Sequence, residues 1–238
     1  MRSALLLPLV VLLIAGCVAQ SPRTDGNWIA EHVDLVAADG TKLAADWSPA
    51  NGTRAVVLIH MLGGSRNDWA AFSQNLTAAN WSTLAIDLRG HGDSQGDWRT
   101  FSETDFSHMQ QDVEAAKQFV RSKGRKDVVL MGASIGANLA IMGAVDAKTP
   151  VKGVVAISPG LDYHSLRPEI PAAAMRAPLL LVAAEDDAYS ADSSRTLDGM
   201  AVNSTLLLYP TGGHGMLLFN WNPKVGKAIM SWLNAMVG

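Results

Sequence analysis

The chain has 238 residues, 48% of them apolar and 17% charged, with a formal net charge of −3. That composition excludes a disordered polymer and suits one sizeable domain with a buried core. No long basic run occurs, so the electrostatic footprint of a nucleic-acid binder is missing.

The N-terminus differs from the rest. Arg2 precedes an almost wholly apolar stretch from Ala4 to Ala15, interrupted by Pro8. About a dozen apolar residues suit a secretory leader and are too few to span a bilayer comfortably. The stretch ends in Leu13-Ile14-Ala15-Gly16-Cys17, and Cys17 is the sole cysteine, so no intramolecular disulfide exists. This ending resembles a bacterial lipobox. The resemblance implies a signal peptide over residues 1–16, with lipidated Cys17 as the mature N-terminus. Acyl chains would then hold the protein on a membrane of the bacterial envelope. Val18, rather than Asp, points to the outer membrane in a Gram-negative cell. Residues 17–27, with Pro22 and Gly26, read as a tether, and residues 28–238 as one domain.

Within that domain strand and helix signals alternate. Glu31–Val36 alternates polar and apolar residues, Ala38–Thr41 is a turn, and Lys42–Trp47 returns as a second strand. Ala55–Ile59 is a continuous apolar run, the pattern of a strand covered on both faces. Helix is expected over 68–79, strand over 82–86, and a long helix over 103–123 ended by Gly124. Strand 127–131 and helix 135–145 follow, then strands 151–157 and 178–183, helix 190–200, strand 205–209 and a closing helix 223–237. Such alternation implies an α/β domain: a mostly parallel sheet with helices on both faces and an antiparallel hairpin at one edge.

Chemistry concentrates at strand ends. Gly132-Ala133-Ser134-Ile135-Gly136 falls between a strand and a helix, where a tight turn lifts the serine hydroxyl clear of the sheet. The flanking glycines leave room that a Cβ would fill. Three further segments stand out: His60-Met61-Leu62-Gly63-Gly64, Asp87-Leu88-Arg89-Gly90-His91-Gly92-Asp93-Ser94, and Gly212-Gly213-His214-Gly215. Together these segments resemble the α/β-hydrolase superfamily, in its dienelactone-hydrolase-like and small carboxylesterase branches. The resemblance covers the chain from about Trp28 to its end.

The resemblance implies a serine hydrolase with the order nucleophile, acid, histidine. Of six histidines only His164 and His214 follow Ser134, and His164 has too few acids before it at a strand end. His214 is therefore the expected base. Asp187 takes the place of the acid after the strand 179–183, with Asp186 next, Glu185 last and Asp162 a distant alternative. Ser158, where some lipases carry the acid, cannot serve as one. Leu62 and Ile135 are the expected oxyanion-hole donors. Met61 departs from the glycine common at its position and should narrow the cleft. Trp98 and Trp221 are the candidate pocket walls. The other tryptophans, Trp28, Trp47, Trp69, Trp81 and Trp232, read as core or groove edge. His60 and His91 read as buried histidines bonding loop backbone, and Asp87 and Arg89 as residues ordering a loop.

No metal-ligand spacing and no phosphate loop occurs, so no metal or cofactor is expected. The excursion 158–177, with Pro159, Pro168 and Pro171, is too short for a large cap, which implies an open cleft for a small ester or acyl substrate. The readings that follow are a carboxylic ester hydrolase, a thioesterase, peptidase or acyltransferase on the same residues, and a non-catalytic envelope lipoprotein.

Overall fold

The apolar run before His60 becomes the middle of a sheet. The computed structural model describes residues 30–145 and 148–236. The expected leader, Cys17, the tether and Trp28 lie outside these residues. In chain order the strands are β1 (Glu31–Val36), β2 (Lys42–Ser48), β3 (Arg54–Ile59), β4 (Ser82–Ile86), β5 (Asp127–Ala133), β6 (Gly153–Ile157), β7 (Leu179–Ala184) and β8 (Ser204–Tyr209). They form one eight-stranded sheet in the order β1-β2-β4-β3-β5-β6-β7-β8. The hairpin β1–β2 is antiparallel, with Glu31 opposite Trp47, and β2 joins β4 antiparallel. Every other pairing is parallel.

Side-chain alternation along the central strands divides the interior into two layers. Ala55, Val57 and Ile59 of β3 and Val128 and Leu130 of β5 face one layer. It is closed by α2 (Glu103–Ser122), α3 (Ile135–Gly143), α4 (Glu169–Ala174) and α5 (Ala188–Met200). Val56 and Leu58 of β3 and Val129 and Met131 of β5 face the other layer, closed by α1 (Ala70–Ala78), α6 (Leu217–Trp221) and α7 (Lys224–Met236). These nine residues are fully covered, which is why the strands read as unbroken apolar runs. Each such large side chain contributes roughly 1.5–3 kcal/mol by leaving water. Trp47, Trp69 and Trp81 belong to this interior.

Boundaries depart from expectation where backbone chemistry intervenes. The helix expected from 68 opens with a 3-10 turn over Arg66–Trp69, in which Ser65 and Asp68 cap each other. The closing helix forms as expected, as α7, and a short helix that was not expected, α6, precedes it. Asn222 is extended (φ −132°, ψ 95°) ahead of Pro223, because a proline ring crowds a helical residue before it. Helix α2 begins as a capping box, in which the Asp105 N–H donates to Ser102 Oγ and the Ser102 N–H to Asp105 Oδ2. Between β6 and β7 the chain adds only α4 and a small bridge, Tyr163 to Leu166, so no large cap covers the strand ends.

Candidate active site

The carboxyl ends of β3, β5, β6, β7 and β8 open on one edge of the sheet, where loops from parallel strands converge. At the end of β5, Ser134 has φ 55° and ψ −121°, a conformation L-residues avoid. Close packing enforces it. A Cβ on Gly132 would collide with the Gly136 carbonyl, and one on Gly136 would strike the Ile59 and His60 carbonyls. Ser134 is pinned further by its N–H, which donates to the Ile157 carbonyl of β6 at 2.8 Å.

The loop after β8 brings His214 to this serine, with Nε2 2.8 Å from Ser134 Oγ. On the other side of the ring Nδ1 lies 2.7 Å from Asp187 Oδ2. An ionised carboxylate only accepts, so Nδ1 carries the proton and Nε2 is left to accept from the serine hydroxyl. Such an arrangement can take the hydroxyl proton as the oxygen attacks an electrophilic carbon.

Two further backbone N–H groups belong to the segments that follow the neighbouring strands β3 and β5. Ile135 is the first residue of α3, where a helix leaves amides without internal acceptors. Leu62 sits inside the turn closed by the Gly64 N–H donating to the Met61 carbonyl at 2.9 Å, with Gly63 at φ 74° in the position that favours glycine.

A family model described as alpha/beta hydrolase fold matches residues 54–229. The chain belongs to the α/β hydrolase fold family. No curated protein matches the sequence closely enough to count as a relative. Solved structures share its fold at low identity. The Pyrococcus furiosus esterase Pf2001 superimposes with a TM-score of 0.71 at 19% identity, over 92% of this chain and 100% of that one. Est1E from Butyrivibrio proteoclasticus, with ferulic acid bound, gives 0.74 at 18% identity over 85% and 98%. A thermophilic esterase from Thermogutta terrifontis, with malate bound, gives 0.72 at 17% identity over 87% and 99%.

Within this α/β hydrolase fold, the three neighbouring acids after β7 separate cleanly. Asp187 meets the imidazole. Asp186 instead accepts from the Gly212 N–H at 3.1 Å and the Gly213 N–H at 3.0 Å, and so holds the histidine loop. Glu185 turns outward to Arg195, at 2.5 Å. Asp162 pairs with Arg167 at 2.7 Å, away from the imidazole. His164 stacks on Phe106, with centroids 4.0 Å apart.

His60 is fully buried between two loops. Its Nε2 accepts from the Leu88 N–H at 3.0 Å, so Nδ1 is the protonated nitrogen and donates to the Met61 carbonyl at 2.7 Å. Burial pushes its pKa down to about 4, which keeps the ring neutral. Behind it Asp87 accepts from the Arg66 N–H at 2.6 Å and the Asp93 N–H at 2.9 Å, and pairs with the Arg66 guanidinium. Arg89 meets Asp112 through Nε at 2.9 Å and Nη2 at 2.7 Å. His91 reaches the Arg89 carbonyl through Nδ1 at 3.0 Å.

The candidate walls fall in different places. Met61 is at the site: a Cβ on Gly215 would lie 3.1 Å from its sulfur. Trp98 stacks on His91, 5.5 Å between centroids and 7° from parallel, and overhangs Gly63. Trp221 lies on the surface. It ends α6 with 67% of its surface exposed, because the extended Asn222 stops the helix there.

Three contributors escaped the sequence reading. Ser158, at φ 50°, accepts from the Gly215 N–H at 2.9 Å and so anchors the far side of the histidine loop. Ser190 Oγ is 3.3 Å from His214 Nδ1 and 3.3 Å from the Tyr163 hydroxyl, whose pKa burial raises. Ser158 directly follows β6, and a residue at the end of a parallel strand in this fold is a position that earns scrutiny. Tyr163 and Ser190 carry no local signal.

Proposed function

We propose that this protein is a serine hydrolase that cleaves carboxylic esters through an acyl-enzyme, with the open outline of the small carboxylesterase branch. The observation that carries this reading is the continuous path Asp187–His214–Ser134, with both links at hydrogen-bond distance. Esterases among the structural neighbours support the choice of ester over other acyl substrates.

In this reading Ser134 Oγ attacks the ester carbonyl while His214 Nε2 takes its proton. The negative charge that grows on the carbonyl oxygen is met by the Leu62 and Ile135 N–H groups, each such donor being worth about 3 kcal/mol of barrier. The C–O bond to the alcohol then breaks, and the imidazolium delivers its proton to the leaving oxygen. Water repeats the sequence on the acyl-enzyme and releases the acid. Asp187 holds the imidazole in the required tautomer and stabilises its charged form.

Labelling with a fluorophosphonate tests the site independently of substrate. The adduct is expected on Ser134 and lost in His214→Ala. A folded protein that stays unlabelled overturns the reading. A panel of ester, thioester and peptide substrates then tests the ester assignment, which fails if thioesters or peptides are turned over faster.

The lipobox resemblance around Cys17 supports a second part of the proposal, attachment of this hydrolase to a membrane of the bacterial envelope, the outer one in a Gram-negative cell. Cys17→Ser should move the protein out of the membrane fraction. Retention there would remove the lipid anchor from the reading.

A further inference from the structure

The excursion between β6 and β7 delivers one side chain to the candidate site. Tyr163 opens a tight turn in which His164 and Ser165 have φ 52° and 63°, left-handed values that cost a residue other than glycine about 1–2 kcal/mol each. Tyr163 and Leu166 close the turn as a bridge, with the Leu166 N–H donating to the Tyr163 carbonyl at 3.0 Å. Asn138, fully buried in α3 one turn past Ser134, clasps its base. The Asn138 Nδ2 donates to the Gly160 and Leu166 carbonyls at 2.9 and 2.8 Å, and its Oδ1 accepts from the Gly160 N–H at 3.1 Å. The stack of His164 on Phe106 fixes the tip. Gly160 leaves room for the phenol ring, which a Cβ there would approach to 2.6 Å. Backbone strain upheld by this many contacts points to a side chain whose place matters.

The phenol meets the reacting groups. Its ring stands edge to face with the His214 imidazole, 6.2 Å between centroids. Its hydroxyl is 3.4 Å from the Ser158 carbonyl and 3.3 Å from Ser190 Oγ, which is itself 3.3 Å from His214 Nδ1. The Ser134 hydroxyl bonds it in turn: burial raises the pKa of the phenol, and Ser190 and Ser134 oppose that rise. A ring of polar groups therefore runs from Ser134 through both nitrogens of His214, Ser190 and Tyr163 back to Ser134. Sheet order puts β6 on the opposite side of β5 from β3. Tyr163, which follows β6, so comes to Ser134 from the side away from the Leu62 turn.

We propose that Tyr163 is a further catalytic residue, whose phenol donates a hydrogen bond to Ser134 Oγ as that oxygen becomes the nucleophile. The inference rests on the serine hydrolase reading above. Before reaction Oγ keeps its own proton and accepts weakly, and the phenol can turn its proton to the Ser158 carbonyl or to Ser190. As His214 Nε2 takes the Ser134 proton, negative charge grows on Oγ and the bond from Tyr163 strengthens. The Oγ electron pair then forms the bond to the ester carbon, and Tyr163 keeps its proton throughout. Release of the acid runs the same step in reverse, with Oγ as the departing atom, so both halves of the cycle gain.

Tyr163→Phe keeps the ring and deletes the donor. With p-nitrophenyl acetate, kcat should fall by roughly 10- to 100-fold, the worth of one hydrogen bond to a charged group, while KM stays within about 2-fold. Fluorophosphonate labelling of Ser134 should slow by a similar factor. Tyr189→Phe removes the neighbouring hydroxyl, which accepts from the Asp162 N–H, and should leave both rates within about 2-fold.

A fluorinated tyrosine at position 163 gives a readout that packing alone would not move. Its phenol is more acidic and loses the donated proton at lower pH, so the alkaline limb of kcat should move to lower pH. His214, Asp187 and Tyr189, which face the same phenol, are unaltered in that variant. Unchanged rates in Tyr163→Phe overturn the proposal, as does a loss confined to KM or Tm, or an alkaline limb that stays in place. A wild type that takes no fluorophosphonate fails the hydrolase reading itself. A labelled wild type with an equally fast Tyr163→Phe fails this inference alone.

Discussion

The two sides of the candidate site are built on opposite plans. Behind the Met61–Gly64 turn, His60, Asp87, Arg89 and Asp112 are buried polar groups that satisfy one another and the loop backbone. Around His214 the chain is glycine-rich, the imidazole is about one-third exposed, and a handful of bonds from Asp186, Asp187 and Ser158 hold it. The first plan makes the surroundings of Ser134 part of the fold. Damage there should be felt as lost stability. The second leaves His214, the proposed base, on a lightly tethered loop, where damage should be felt as lost rate with the fold intact. Rigidity surrounds the turn that carries Leu62 and freedom surrounds the His214 ring, a division that suits the proposed oxyanion donors and the proposed base.

The sharpest way to break this contrast lies in two adjacent acids. Asp187→Asn should lower kcat by about 10⁴-fold, because the amide no longer holds the imidazole in the productive tautomer. Asp186→Asn keeps an acceptor oxygen for the glycine amides and should cost about 10-fold or less. Equal losses in steady-state kinetics would mean that the two carboxylates share one role.

On the buried side, Asp112→Ala should destabilise the protein by about 3–5 kcal/mol in chemical denaturation, since it leaves a buried guanidinium without its main partner. A stable variant that is merely slow would reverse the assignment of roles to the two sides.

The pH dependence of folding sharpens the same point. The folded protein holds His60 neutral down to about 4, whereas the unfolded chain protonates it near 6.5. The unfolded state then binds the extra proton as pH falls. The His60 contribution is thus fully present above about 6.5 and is lost progressively on the way down to about 4, by up to about 3 kcal/mol. Denaturation midpoints measured across that window should fall less steeply for His60→Gln than for the wild type.

The smallest effect is expected at Ser158→Ala, which removes one bond to the histidine loop. About 1 kcal/mol, or roughly 5-fold in kcat, should be lost with little change in Tm. A change confined to Tm would place Ser158 with the buried scaffold instead.

Much of this molecule is legible in its sequence because parallel strands covered on both faces must be apolar throughout. The runs before His60 and Ser134 say so directly, and the glycines around Ser134 mark where backbone approaches backbone. Asp186 and Asp187 could not be separated in the same way. Adjacent residues in one turn aim at different targets, and composition holds no information about direction. Ser158 and Tyr163, from the excursion after β6, and Ser190, from α5, reach the site from two separate segments, and only the completed sheet makes them neighbours. The start of α7 was legible at Pro223, which disfavours helix at the residue before it, whereas the single-turn helix α6 was not foreseen.

The left-handed backbone at Ser134 sets endurance against activity. A non-glycine residue held there costs about 1–3 kcal/mol, and glycine would shed that strain while adding roughly 0.5–1 kcal/mol of unfolded-state entropy. Ser134→Gly should therefore outlast Ser134→Ala in denaturant by about 1 kcal/mol, although neither can form an acyl-enzyme. On the serine hydrolase reading, heat tolerance alone would favour glycine at this position, and only the chemistry of the hydroxyl opposes it.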